Sequence, residues 1–243
     1  MSRRRPGAAP EVPAPESPTR QRWGRLCLAC GAAAVALWWT LIAWAGAQLP
    51  DFNHRQQFIS ELGAGDSTGA WVLRVLGFGL SGALLMVCGL YIAARCRRDR
   101  AALLGSSLFI MAGAARLAAG LYPCDAGCPV FQASATQLTH VWAERASVGL
   151  LILAASSWGV AANRYPALRP ISVASFGCAT WTIVLLVMMV TSPDQPGLYE
   201  RLANGLLSIW VILFVVSHWR AGVWRQALAW ARPDYAPRRR RFR

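Results

Sequence analysis

Six long apolar runs dominate the chain, at residues 26–47, 69–94, 101–121, 141–162, 171–191 and 202–219, with short polar segments between them. About 20 apolar residues suffice for a helix to cross a bilayer. Inside lipid the backbone must satisfy its own hydrogen bonds, so runs of this kind are helical. The alternating pattern of an outer-membrane barrel strand is absent. The pattern therefore predicts an all-α polytopic membrane protein, with six transmembrane helices in one bundle. The first run is preceded by a long Arg/Pro-rich segment and is longer than the apolar core of a signal peptide, which predicts a retained helix despite the small-residue stretch Ala45-Gly46-Ala47.

Charge placement orients this bundle. Of the 25 basic residues, all Arg, 20 lie before the first run, between runs two and three, between runs four and five, or after the sixth. The positive-inside rule then puts both termini in the cytoplasm. Seven of the eleven acidic residues fall on the other side: Asp51, Glu61, Asp66, Asp125, Glu144, Asp194 and Glu200. A net charge of +14 could suggest nucleic acid, but the Arg flanks apolar runs and no aromatic–basic recognition module accompanies it, so nucleic acid is not an expected partner. Mean hydropathy of +0.34 also excludes an ordinary soluble domain.

Three regions result. Residues 1–22 read as a disordered, Arg/Pro-rich cytoplasmic tail; 23–220 as the six-helix membrane domain; 221–243 as an amphipathic, Arg-rich cytoplasmic tail. In the last, Trp224, Leu228 and Trp230 suit a helix lying on the inner leaflet, and Arg238–Arg241 suit anionic inner-leaflet lipid. Small residues within the runs (Gly77, Ser81 and Gly82; Gly105, Gly113 and Gly120) allow close helix approach.

Candidate chemistry gathers at the outer rim. Arg74, Arg116, Arg145 and Arg201 lie there against the topology rule, and charges at such depth need a partner or water. Arg116 is five residues before the end of its run; it suits a bundle-locking ion pair, an anionic ligand or catalysis. His140 and Glu144 are spaced i, i+4 on one helical face and could share a divalent metal, with His54 and Asp51 as conceivable further ligands. Two ligands do not make a site, so no cofactor is expected. Arg201, Asn204 and Ser208 form a polar stripe that either lines a cavity or cross-links helices. Cys124 and Cys128 fall on the oxidising side of this topology, which predicts a disulfide. No P-loop, nucleophile elbow, HExxH or dinucleotide fingerprint is present.

Two segments carry a resemblance. Phe58-Ile59-Ser60-Glu61-Leu62-Gly63-Ala64 lies between the first two runs, and Leu121-Tyr122-Pro123-Cys124-Asp125 leads on to His140. Together they resemble the I-S-x-L-G and F-P-x-D elements, and the following His, of the bacterial membrane family called domain of unknown function 998, over about residues 25–220. Tyr122 stands where that family usually has Phe, and the cysteines flanking Asp125 occur in only some members. The resemblance implies six transmembrane helices in a bacterial plasma membrane and no settled activity. The family-like Ser60, Glu61, Asp125 and His140 all map to the rim near Arg116.

The functional expectation is a multi-pass membrane protein binding a lipid head group or other anion in an outer-facing polar chamber. The candidate ligand-binding residues are Arg116, Asp125, His140, Glu144, Glu61, Ser60, Arg201 and Asn204. The alternatives are a membrane-embedded, metal-dependent hydrolase or transferase using His140, Glu144, Asp125 and His54, and a scaffold recruiting a protein partner. The default expectation is no enzymatic activity.

Overall fold

A computed structural model describes residues 17–65, 68–129, 133–165, 168–192 and 194–221. The tail readings at residues 1–16 and 222–243, including the Arg238–Arg241 lipid contact, lie outside the described residues. Six helices are long and apolar enough to cross a membrane: α1 (Pro18–Ala47), α2 (Gly69–Arg95), α3 (Arg100–Leu121), α4 (Ala135–Ala162), α5 (Arg169–Thr191) and α6 (Pro196–Ala221). No strand occurs among the described residues.

The helices begin earlier than the apolar runs at three places. α1 starts at Pro18, so the end of the segment read as a tail is helical. α4 starts six residues before its apolar run and α6 likewise, because polar first turns escape a hydropathy window. His140 therefore sits in the second turn of α4 rather than at its start. These starts have local causes. Ser17 accepts from Arg20 N, with Pro18 already fixed in helical φ. Asp99 accepts from Ala101 N and Ala102 N, and Ser134 Oγ from Gln137 N.

Each helix packs on its sequence neighbours, and α6 closes the ring against α1. Burial against lipid tails brings little gain between apolar helices, so close approach and interhelical hydrogen bonds hold such a bundle, each bond supplying about 0.6 kcal/mol. Both devices are present. Ser147 Oγ and Ser157 Oγ on α4 donate to Ala112 O and Ala101 O on α3 at 3.0 and 2.9 Å. Ser172 on α5 donates to Gly159 O on α4, Trp210 Nε1 on α6 to Ser175 on α5, and Trp39 Nε1 on α1 to Ser208 on α6. The polar stripe on α6 thus cross-links helices at Ser208.

The α2–α3 pair uses glycine instead. A Cβ on Gly82 would stand 2.5 Å from Gly113 O, and one on Gly120 would stand 2.6 Å from Arg74 O. α2 is π-helical over Leu73–Leu80, where its ladder shifts to i−5 and Ser81 N donates to Leu76 O. Gly120 packs against this stretch.

At the arginine-rich end, Asp99 accepts from Arg164 Nη1 at 2.8 Å and from the Tyr165 hydroxyl at 2.9 Å. This ties the α2–α3 loop to the α4–α5 loop. Burial, then Asp99, pushes the Tyr165 phenol above its ordinary value, so it stays a donor. An aromatic core of Phe109, Trp158, Trp210 and Phe214 fills the bundle above it. The polar candidates lie toward the other end.

Candidate functional site

The site is assembled from the α1–α2 linker, the α3–α4 loop and the first turns of α4 and α6. In the linker, Ile59–Gly63 forms a 3-10 turn whose Ile59 and Leu62 are buried. Glu61 closes this turn on itself, accepting from Phe58 N at 2.8 Å and Gln57 Nε2 at 3.0 Å. Glu200 then pins the turn to α6 by accepting from Ile59 N at 2.7 Å. Next to it, Arg201 Nη1 donates to Gln57 O and Gly197 O, and its guanidinium lies over the Phe52 ring. Arg201 thereby fastens the linker and does not line the main cavity.

The α3–α4 loop carries the Cys124–Cys128 disulfide expected from the topology. Its turn needs a left-handed backbone at Gly127 and Cys128, with φ of 74° and 46°. Asp125 does not reach Arg116 or His140. Its carboxylate accepts from Ser134 N at 2.8 Å and Ser134 Oγ at 2.7 Å, while its own N–H donates to Gln137 Oε1. Gln137 Nε2 donates to Pro129 O in turn. The loop is thus clasped to the start of α4.

The Ser134 N–H, then its hydroxyl, holds the Asp125 carboxyl below its ordinary 3.8. A depressed carboxylate contributes stability above its unfolded pKa and loses it as pH falls through the folded value. The clasp is therefore complete at neutral pH and fails only in acid below about 3.8. Asp125→Ala should speed amide hydrogen exchange severalfold at residues 134–138 at pH 7. Unchanged exchange there would show that the clasp does not hold α4.

His140 is buried, 2% exposed. Its Nδ1 lies 2.7 Å from Ala119 O and 2.8 Å from Tyr122 O. Both partners are carbonyl acceptors, so Nδ1 carries the proton and Nε2 presents a lone pair in the neutral ring. Nε2 has no hydrogen-bond partner and lies 3.8 Å from Glu144 Oε2. The i, i+4 spacing thus does bring these two together. His54 is not with them: it packs over Gly46 and edge-on to Phe52, where burial and then Arg201 lower its pKa from 6.5. Among the described residues no three His, Cys, Asp or Glu side chains stand close enough to share a metal ion.

The remaining candidates face one cavity of about 470 Å³ between α4, α5 and α6. Its polar wall is Ser60, Gln137, Glu144, Glu200 and Asn204, and its roof includes the disulfide, with Cys128 Sγ 3.7 Å from Ser60 Oγ. Its apolar wall is Leu138, Val141, Trp142, Val148, Leu186 and Met189. Arg145 stands at the exposed side, with its guanidinium 5.5 Å from the Trp142 ring centre. Arg116 lies deeper, 4.4 Å over the Trp38 ring, and borders small voids shared with Glu144 and Asn204.

Two wall residues, Glu200 and Gln137, were not among the sequence candidates. Glu200 precedes the α6 polar stripe by one residue and is i, i+4 to Asn204, a spacing that could have indicated it. Nothing in the sequence marks Gln137. A family model described as Protein of unknown function (DUF998) matches residues 32–217. No curated protein and no solved structure matches the chain. With that match spanning most of its length and six helices long and apolar enough to cross a membrane, the chain belongs to the DUF998 family of proteins of unknown function.

Proposed function

We propose that this protein binds the polar head of a membrane lipid in the α4–α5–α6 cavity, which the arginine distribution turns toward the non-cytoplasmic side. The observation that carries this reading is the change of wall chemistry across one cavity. Leu138 and Trp142, at 50% and 65% exposed, edge it on the lipid-facing side of α4, whereas Glu144, Glu200 and Asn204 line its depth. A lipid presents the same gradient from tail to head. Its volume also falls within the range of about 300–1,000 Å³ usual for ligand sites.

Depth supports the same reading. α4 has 28 residues, about 42 Å at 1.5 Å per residue, so it outruns a hydrocarbon core of about 30 Å. Its Trp142 and Arg145 then suit the interface, where an exposed Arg meets lipid phosphate. The cationic contact for a head group is accordingly Arg145, in place of Arg201.

Gly149 offers the test. It lines the cavity, and a Cβ there has nothing within 4 Å. Gly149→Phe should fill the cavity and leave the fold intact. Native mass spectrometry of the wild type is expected to retain phospholipid at about one per chain, and Gly149→Phe to lose it with its unfolding temperature nearly unchanged. A wild type that retains no lipid, or a filled variant that retains it fully, would refute this function.

A further inference from the structure

The floor of the cavity is acidic, and this narrows the ligand class. Resting on the lipid-binding reading, we propose that the cavity is selective for an amphiphile whose head carries a primary ammonium group, held at depth by Glu144 and Glu200.

The charged groups around this floor come from every element packed there. α3 contributes Arg116, α4 contributes His140, Glu144 and Arg145, α6 contributes Glu200 and Arg201, and the linker contributes Glu61. Glu61 and Arg201 are committed to the linker by their hydrogen bonds, Arg116 lies over Trp38, and Arg145 stands at the exposed edge. Glu144 and Glu200 are the charged groups left on the deep wall of the cavity.

Geometry points the same way. Among the described residues, Glu144 has one nitrogen base within 4.0 Å, His140 Nε2 at 3.8 Å, and that nitrogen accepts rather than donates in the tautomer set by Ala119 O and Tyr122 O. Glu200 is 8% exposed and spends one oxygen, Oε2, on Ile59 N. Both carboxylates reach the cavity, and the buried Nε2 lies beside Glu144 without a partner. A pocket wall rich in acceptor oxygens and desolvated in this way is complementary to a group with three N–H donors and one positive charge. Arg145 at the exposed edge then meets the phosphate of the same head. The order along the cavity, from lipid-facing Trp142 and Arg145 to buried Glu200, is that of tail, phosphate and amine. The apolar edge also commits the occupant to an amphiphile rather than a free amine.

The full-length protein in nanodiscs tests this with three phospholipids of identical acyl chains, bearing ethanolamine, choline and glycerol head groups. Native mass spectrometry is expected to show about tenfold greater retention of the ethanolamine lipid, the ratio that one charge-assisted hydrogen bond supplies. Choline has the charge but no N–H donor, so its lipid should not share the preference. Glu144→Gln and Glu200→Gln should each reduce the ratio toward one while still retaining lipid, and free ethanolamine should not displace the bound lipid. Lipid retained without preference, or a preference that survives both substitutions, overturns the amine selectivity and leaves lipid binding standing. Retention of no lipid at all overturns both.

Discussion

Gly82→Ala is expected to cost about 2 kcal/mol or more of stability, because the methyl meets the backbone of the neighbouring helix. The added Cβ would stand 2.5 Å from Gly113 O and 2.8 Å from Leu117 N. Both are backbone atoms of α3, which cannot rotate away as a side chain would. Overpacking usually costs about 1–3 kcal/mol, and a backbone obstacle puts this site at or above the upper end. Alanine recovers up to about 1 kcal/mol of helix propensity relative to glycine, which sets the net figure. Gly113→Ala should behave alike, since its Cβ would meet Gly82 O at 2.6 Å. Gly177→Ala is the control: on α5 a Cβ meets nothing within 4 Å, so only the propensity gain remains. Thermal unfolding in one detergent compares the three. Equal unfolding temperatures for Gly82→Ala and Gly177→Ala would mean that α2 and α3 are not held at backbone contact.

The second large effect is at Glu200, where two substitutions should part. Glu200→Ala removes the acceptor of the buried Ile59 N–H and leaves that donor unsatisfied, a cost of about 1–3 kcal/mol. Glu200→Gln keeps a carbonyl oxygen in the same place, so its loss should stay under about 1 kcal/mol. Hydrogen exchange over residues 58–62 is expected to accelerate in Glu200→Ala and to remain near wild type in Glu200→Gln. Equal loosening in both would show that the charge, rather than the hydrogen bond, pins the turn. That distinction matters for the cavity, because it makes Glu200→Gln a variant in which the wall is intact and only its charge is altered.

The rim residues divide by whether their partners are local. His140 and Glu144 could be paired from sequence because a helix puts i and i+4 on one face. The Cys124–Cys128 bond could be read because the arginine distribution puts both thiols on the oxidising side. Asp125 and Glu61 looked like site residues because they are acidic and lie at the rim. Both are instead spent on nearby caps, Ser134 and the Phe58 N–H, and no periodicity distinguishes a capping carboxylate from a binding one. Arg201 shows the same limit: its stripe faces inward, but its guanidinium turns along the helix to Gln57 O on the linker and Gly197 O in its own first turn.

By itself the sequence determined the six helices and the family, since apolar run length and short motifs are local properties of the chain. The arginine distribution belongs with them as the basis of an expected orientation. Only the tertiary structure decided which polar side chains share a space. That depends on how each helix is rotated about its axis and on contacts such as Ile59 to Glu200, 141 residues apart, which no local pattern encodes. The cavity walled by Glu144, Glu200 and Asn204 exists because three helices, the α3–α4 loop and one linker turn meet there.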